Sequence, residues 1–336
     1  MKRLSLPLLA ALLVAAVLVS LCLGKYRVPL DDILAFAGWK FFGLSGLDEE
    51  SRGLLTNVLL DIRLPRILAA LLIGAALAVS GTAFQALFIN PLVSPGILGV
   101  LAGAAFGAAL GMMLANSWLV VQCSTLAFGF AAVGVAVGIA RLFRSHSIIM
   151  LVLGGIISGA FFTALLSIAK YAADPTNQLP AIVYWLMGNL AAADRPTILT
   201  VSVPMLLGIV LLLCHGGRLN VMSMGEEEAS ALGINVKQVR MTVIFLATMV
   251  SALTVVIGGI IGWVGLIIPH ICRMLVGPDN RLLLPAAALL GATYLLVVDN
   301  VCRLLFTFEI PTGIVTSLIG IPFFVLVLNN VRRGWR

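Results

Sequence analysis

The chain has 336 residues, of which 61% are hydrophobic and only 10% charged, with a mean hydropathy of +1.13. Soluble domains carry roughly 25% charged residues, so a water-soluble globular fold is excluded. The net charge of +7 is read as a bias between the two faces of a membrane and not as a nucleic-acid footprint, because cytoplasmic loops of membrane proteins collect Lys and Arg.

Apolar runs near the ~20 residues needed to span hydrocarbon recur along the chain, whereas barrel strands would alternate. The first predicted helix runs from Leu4 to Leu23, behind Lys2 and Arg3, and is expected to be retained rather than cleaved. A polar region, Lys25 to Asp61, follows with an amphipathic piece around Ile33 to Phe42. Arg63-Leu-Pro-Arg66 leads into the second apolar run, Ile67 to Phe84; the proline restricts the chain at the helix entry without breaking an established ladder. Asn90-Pro-Leu-Val-Ser-Pro-Gly96 marks a turn before the third helix, Ile97 to Leu114. The fourth is Trp118 to Ala140, followed by a basic turn with Arg141, Arg144 and His146, and the fifth is Ile148 to Ala169.

A second polar region, Lys170 to Pro196, holds Tyr184-Trp185, a pair suited to the headgroup level. The sixth helix is Thr197 to Cys214 and the seventh about Met241 to Ile261. Ile267-Ile-Pro269-His270 then interrupts the apolar sequence and leaves an eighth helix of about a dozen residues ending near Val276, too short to span unaided. Leu282 to Leu305 and Ile314 to Leu328 complete the set. The expected fold class is all-α and polytopic, about ten transmembrane helices in a single transmembrane domain over 1–336. An even number puts both termini on one side. Placing them in the cytoplasm assigns 12 of the 21 basic residues to that side, but four of the 14 acids. Only the basic count signals orientation, and it supports the placement.

None of the five lysines sits in GxxxxGK[ST], so the chain is not its own ATPase. His146, His215 and His270 lack ligand spacing, and no Ser, Thr or Cys stands in a nucleophile motif. An enzymatic role is not expected. The five cysteines are scattered singly and read as small buried hydrophobes rather than a disulfide or metal site. No ionisable residue marks a helix centre, which weakens the alternative of an ion-coupled transporter or channel acting without an ATPase.

Ser223 to Arg240, SMGEEEASALGINVKQVR, is the long polar interruption of the second half. Glu226, Glu227 and Glu228 complement the positive end of a helix dipole, Ala229, Ala231 and Leu232 favour helix, and Gly233 supplies a stop. This suits a short helix outside the membrane; a solvated connecting loop is the plainer alternative.

Four stretches, RLPRILAALLIGAALAVSGTAFQALFINPLVSPGILG, MGEEEASALGINV, GLIIPHICRMLVGPDNRLLLP and EIPTGIVTSLIGIPFF, resemble the permeases of the iron-siderophore, haem and vitamin B12 ABC importers in the order in which they occur there. The resemblance covers about Arg63 to Leu328. It implies a vitamin B12 permease-like fold, a second permease subunit as homodimer or pseudo-dimer, two cytoplasmic ATP-binding subunits that use ATP and Mg, and a periplasmic or lipid-anchored substrate-binding protein. The chain itself would bind no cofactor. It would sit in a bacterial or archaeal inner membrane.

The resemblance also gives roles. Within 224–234, Gly225, Glu226, Ala229, Leu232 and Gly233 match the element that couples to the ATPase, and a short rigid helix can pass on ATPase closure as rigid-body motion. Arg63, Arg66 and Arg303 match positions that meet acidic residues of the binding protein, a task suited to bidentate guanidinium groups. Alternatively these arginines anchor helix ends or pair internally, Arg63 with Asp61 and Arg303 with Asp299. Ile89 departs from the resemblance, since a charged residue is common there. Gly99, Gly103, Gly107 and Gly111 form a packing series, and His270 belongs to a general motif for which a structural role is favoured over a haem or metal ligand.

Overall fold

The computed structural model describes residues 5–44, 47–115, 117–143, 148–305 and 307–334, with side chains from Leu6 to Leu326. Lys2, Arg3, Arg144, His146 and Arg336 lie outside the described residues, as do the side chains of Arg332 and Arg333. The first half comprises α1 (Ser5–Cys22), α2 (Leu30–Phe42), α3 (Glu49–Leu55), α4 (Leu64–Leu87), α5 (Val100–Leu114), α6 (Trp118–Leu142) and α7 (Ile148–Ala172). The second comprises α8 (Gln178–Leu186), α9 (Arg195–Cys214), α10 (Gly216–Met222), α11 (Glu226–Ala231), α12 (Val236–Gly258), α13 (Val264–Val276), α14 (Asn280–Leu304) and α15 (Thr312–Gly334). Among the described residues, six helices are long and apolar enough to cross a membrane, and four shorter apolar ones (in α1, α5, α13 and α15) bring the set to ten. The chain is an all-α multi-pass membrane protein.

Helix α4 is the axis of the fold. Nearly every residue from Ile67 to Leu87 is buried, and α14, α12, α13 and α9 pack around it. Lipid tails are as apolar as leucine, so helices in a bilayer gain from close van der Waals approach, which small residues permit. Gly74 and Gly291 face each other's backbone carbonyls where α4 crosses α14, and Gly81 faces the Gly265 carbonyl of α13; a Cβ at any of these would collide with backbone. Gly103, Gly107 and Gly111 do the same for α5 against α6, at Phe128, Ser124 and Val121. Gly99 stands apart from that series: at φ +80° it is the left-handed link between a 3-10 turn, Pro95–Leu98, and α5.

Three findings depart from the sequence reading. The expected polar surface segment before Arg63 is partly helical, and α3 continues through a π-helical stretch, Thr56–Arg63, into α4. The eighth helix has the expected length and end, Val264–Val276, but the break before it lies at Gly259–Trp263 and not at Ile267–His270; Gly259 (φ +67°) and Trp263 (φ +70°) turn the chain there. Pro269 sits in the sixth position of α13, and the Gly265 carbonyl that it leaves without a helical donor is the one seated against Gly81. Of the cysteines, Cys272 and Cys302 are buried as expected, but Cys123 and Cys214 are exposed on the outer faces of α6 and α9.

The long helices sort the loops into two ends. At one, Lys25 donates to the Thr307 carbonyl (3.0 Å) and Arg66 reaches Glu309; at the other, Asn220 donates to Asp279 (2.6 Å) and Glu226 pairs with Arg240. They are called here the Arg66 end and the α11 end.

Candidate functional site

At the α11 end, α9 runs into α10 and a turn at Ser223–Gly225 releases the chain into α11. Gly225 adopts φ +124°, a conformation closed to side chains, and three glutamates occupy the first turn as the dipole favours. The helix closes with the paired hydrogen bonds of a Schellman motif, Gly233 N–H to Ser230 O (2.9 Å) and Ile234 N–H to Ala229 O (3.0 Å), with Gly233 at φ +80°. Ala229 is fully buried and joins the core cluster that includes Met222, Val239 and Val243. Leu232 points away and is 62% exposed; Met224, before the turn, is exposed as well. The Arg240 guanidinium donates to the Glu226 carboxylate and ties α11 to α12, at the rim of a cavity of about 470 Å³ that Arg141 and Lys237 also line. The five residues assigned to this segment therefore divide by role. Gly225 and Gly233 set its ends, Ala229 seats it, Glu226 fastens it, and Leu232 is presented outward.

At the opposite end, the three arginines expected to face outward are turned inward and buried. Arg63, at the end of the π-helical stretch, donates to the Leu21 and Tyr26 carbonyls and so closes the C-terminal end of α1; Gly24 leaves room for the guanidinium to pass. The neighbour expected for it, Asp61, is exposed and forms no ion pair with it. Arg66 donates through Nε to both Asp299 oxygens (2.9 and 3.0 Å) and through Nη1 to Glu309 (2.8 Å). Arg303 lies 3.4 Å from Asp299 and donates to Asn300 and Ser20, whose hydroxyl donates to Asn300 (2.9 Å). Asp299 is 1% exposed. An acid held between two guanidinium groups is stable at that depth because both of its oxygens carry charge-assisted bonds. This network joins α1, α4, α14 and the segment before α15; it includes the pair of local neighbours offered as an alternative, Arg303 with Asp299, whereas the part of Arg66, 233 positions from Asp299, was missed.

His270 is partly buried on α13, with its ring 6.3 Å from that of Phe323. Among the described residues no cluster of His, Cys, Asp and Glu with the geometry to hold a metal occurs.

The model of the FecCD transport family matches residues 12–330. The chain belongs to this family of ABC importer permeases. It is 42% identical over 326 residues to the molybdate import system permease of Haemophilus influenzae, covering 97% of this chain and 95% of that one. It is 37% identical over 282 residues to the hemin transport permease of Yersinia pestis (82% and 84% covered) and 35% over 333 residues to the vitamin B12 import permease of Shigella boydii (97% and 94%). A solved metal-chelate type ABC transporter in an inward-facing conformation superposes with a TM-score of 0.85 at 42% identity, covering 97% of this chain and 98% of the other. The permeases of this family are transport components.

Proposed function

We propose that this chain is the membrane subunit of an importer driven by ATP hydrolysis in separate cytoplasmic subunits, with α11 as the contact through which it is driven. The observation that carries this reading is the division of labour in α11: one face locked to the core by Ala229 and Arg240, the other presenting Leu232. A helix so fixed moves only together with α10 and α12, which suits transmission of partner closure as rigid-body motion. On this reading the α11 end and both termini face the cytoplasm of a bacterial or archaeal cell, two copies of the chain enclose the pathway, and ATP and Mg bind the partner subunits. The Arg66 end would receive the substrate-binding protein. Its three arginines act there by fixing the helix ends that form the docking surface, since their donors are already directed into the chain.

The cargo is a metal chelate such as a siderophore, haem or cobalamin. A metal oxyanion is the second reading, and it rests on the 42% identity to a permease named for molybdate import. Elemental analysis and mass spectrometry of what the cognate binding protein retains separate the two. For the drive, Leu232→Glu in the reconstituted complex is expected to abolish ATP-dependent uptake while leaving the permease folded. Normal uptake by that variant would overturn the α11 assignment.

A further inference from the structure

Helix α4 ends at the α11 end, and it ends in the same way as α11. Asn90 N–H donates to Gln85 O (3.1 Å) and Ile89 N–H to Ala86 O (3.3 Å), the two bonds of a Schellman motif. The position that takes glycine in α11 is here Ile89, at φ +49°. A β-branched residue in the left-handed region is a true outlier, and such strain persists where the surroundings or a function over-determine it. The chain's own packing does not repay it, because Ile89 is 53% exposed.

Ile89 stands on the rim of a notch of about 300 Å³ between the end of α4, the end of α13 and Ser223 at the start of the α11 turn. The floor is polar. Gln85, 2% exposed, accepts from Arg273 Nη2 through its side-chain oxygen (3.1 Å). That bond fixes the orientation of the amide and leaves Nε2 a buried donor with no partner. Among the described residues no carboxylate lies within ion-pair distance of Arg273. Asp279, on the turn between α13 and α14, is engaged by the Asn220 amide and the Arg281 backbone N–H. The notch thus holds an uncompensated cation and an unused amide donor beneath an apolar rim that includes Pro91 and Pro278.

We infer that this notch is a second docking site for the ATP-binding subunit, taking an acidic side chain whose carboxylate accepts from Arg273 and Gln85 while its stem packs on Ile89. The inference rests on the reading of α11 as the contact with that subunit, and the site is continuous with it: Ser223 Oγ touches the Ala86 carbonyl (3.5 Å) and lines the notch two residues before Gly225. Paired charge and amide donors suit a carboxylate, and the apolar rim suits a protein side chain better than a bare anion.

The test uses the full chain in nanodiscs with its cognate ATP-binding subunit, and reads the affinity of that subunit together with the thermal midpoint of the permease alone. Arg273→Gln is expected to weaken association about tenfold or more and to reduce its salt dependence, as loss of one partner of a buried charge pair does. Ile89→Gly is expected to raise the midpoint of the permease and yet weaken association, a combination that damage to the fold cannot give. Leu232→Glu serves as the control for α11. Wild-type association in both notch variants while Leu232→Glu weakens it overturns this inference and leaves the α11 reading standing. Weakened association in the notch variants with no effect of Leu232→Glu overturns the α11 reading instead. A loss that appears only in discs containing anionic lipid makes the notch a headgroup site and overturns the inference.

Discussion

The two ends of the molecule handle charge in opposite ways. At the Arg66 end, Arg63, Arg66, Arg303 and Asp299 are buried, and their bonds run to one another, to Glu309 and to the carbonyls that close α1. At the α11 end a single ion pair among the described residues, Glu226 with Arg240, lies near the surface, Leu232, Met224 and Ile89 stand exposed, Arg273 has no carboxylate within ion-pair distance, and Gln85 keeps a buried Nε2 without a partner. The first end holds four separate segments together. The second leaves a cation without a carboxylate and apolar side chains exposed, as the proposed contact with another subunit requires.

This contrast is broken most directly by removing the central acid. Asp299→Ala leaves two guanidinium groups buried without their shared partner, and such a loss costs about 3–5 kcal/mol. The expected outcome is a fall of many degrees in the thermal midpoint of the purified protein. Arg240→Ala, which removes the corresponding pair at the α11 end, is expected to cost under ~1 kcal/mol because Glu226 is well exposed. Equal losses at the two ends would erase the distinction.

A second comparison separates the two faces of α11. Ala229 has no exposed surface, so Ala229→Glu must either bury a carboxylate or lift the helix from the core, and about 1–3 kcal/mol of stability is expected to go with it. Leu232→Glu changes an exposed side chain and is expected to alter stability by less than ~0.5 kcal/mol while disrupting ATPase coupling. Thermal unfolding and ATP-dependent uptake, measured on the same preparations, distinguish seating from contact.

Most of the fold was legible because a bilayer demands it. Long apolar runs with small residues and clear polar interruptions have few alternatives, so all ten spans begin or end within a few residues of their sequence reading. What was misplaced is the break before α13, expected at Ile267–His270 because of Pro269 and found at Gly259–Trp263. Proline near a helix start removes a donor whose acceptor here has another use, the close approach to Gly81. The glycine limits of α11 were legible for the same kind of reason: Gly225 and Gly233 occupy backbone conformations that other residues avoid. The pairing of Arg303 with Asp299, four residues away, was legible as an alternative; what Arg66 does was not. Partner choice between residues 233 positions apart leaves no periodic mark, and an arginine beside a helix entry looks alike whether it points to solvent or into the core. The π-helical stretch before Arg63 is hidden in the same way, for its sequence is that of an ordinary helix.

The two helix ends that share one hydrogen-bond pattern differ in the residue that takes the left-handed position. At Gly233 a Cβ would meet nothing within 4 Å, so Gly233→Ala tests backbone strain with no steric contribution, and a loss of about 1–2 kcal/mol is expected. Ile89→Gly is the reverse exchange at the equivalent position of α4. It relieves the same left-handed strain; the freedom a glycine gives the unfolded chain, worth roughly 0.5–1 kcal/mol, offsets part of the change at both positions, and Ile89→Gly also gives up the packing of a half-exposed side chain, so the net gain is expected to be smaller than the loss at Gly233. Thermal unfolding of both variants checks the inequality. If Ile89→Gly destabilises instead, the isoleucine is held by packing within this chain, and its strain says nothing about a partner. If it stabilises, the exposed isoleucine is kept against the interest of the isolated fold, and the reason for it lies in what the α11 end binds.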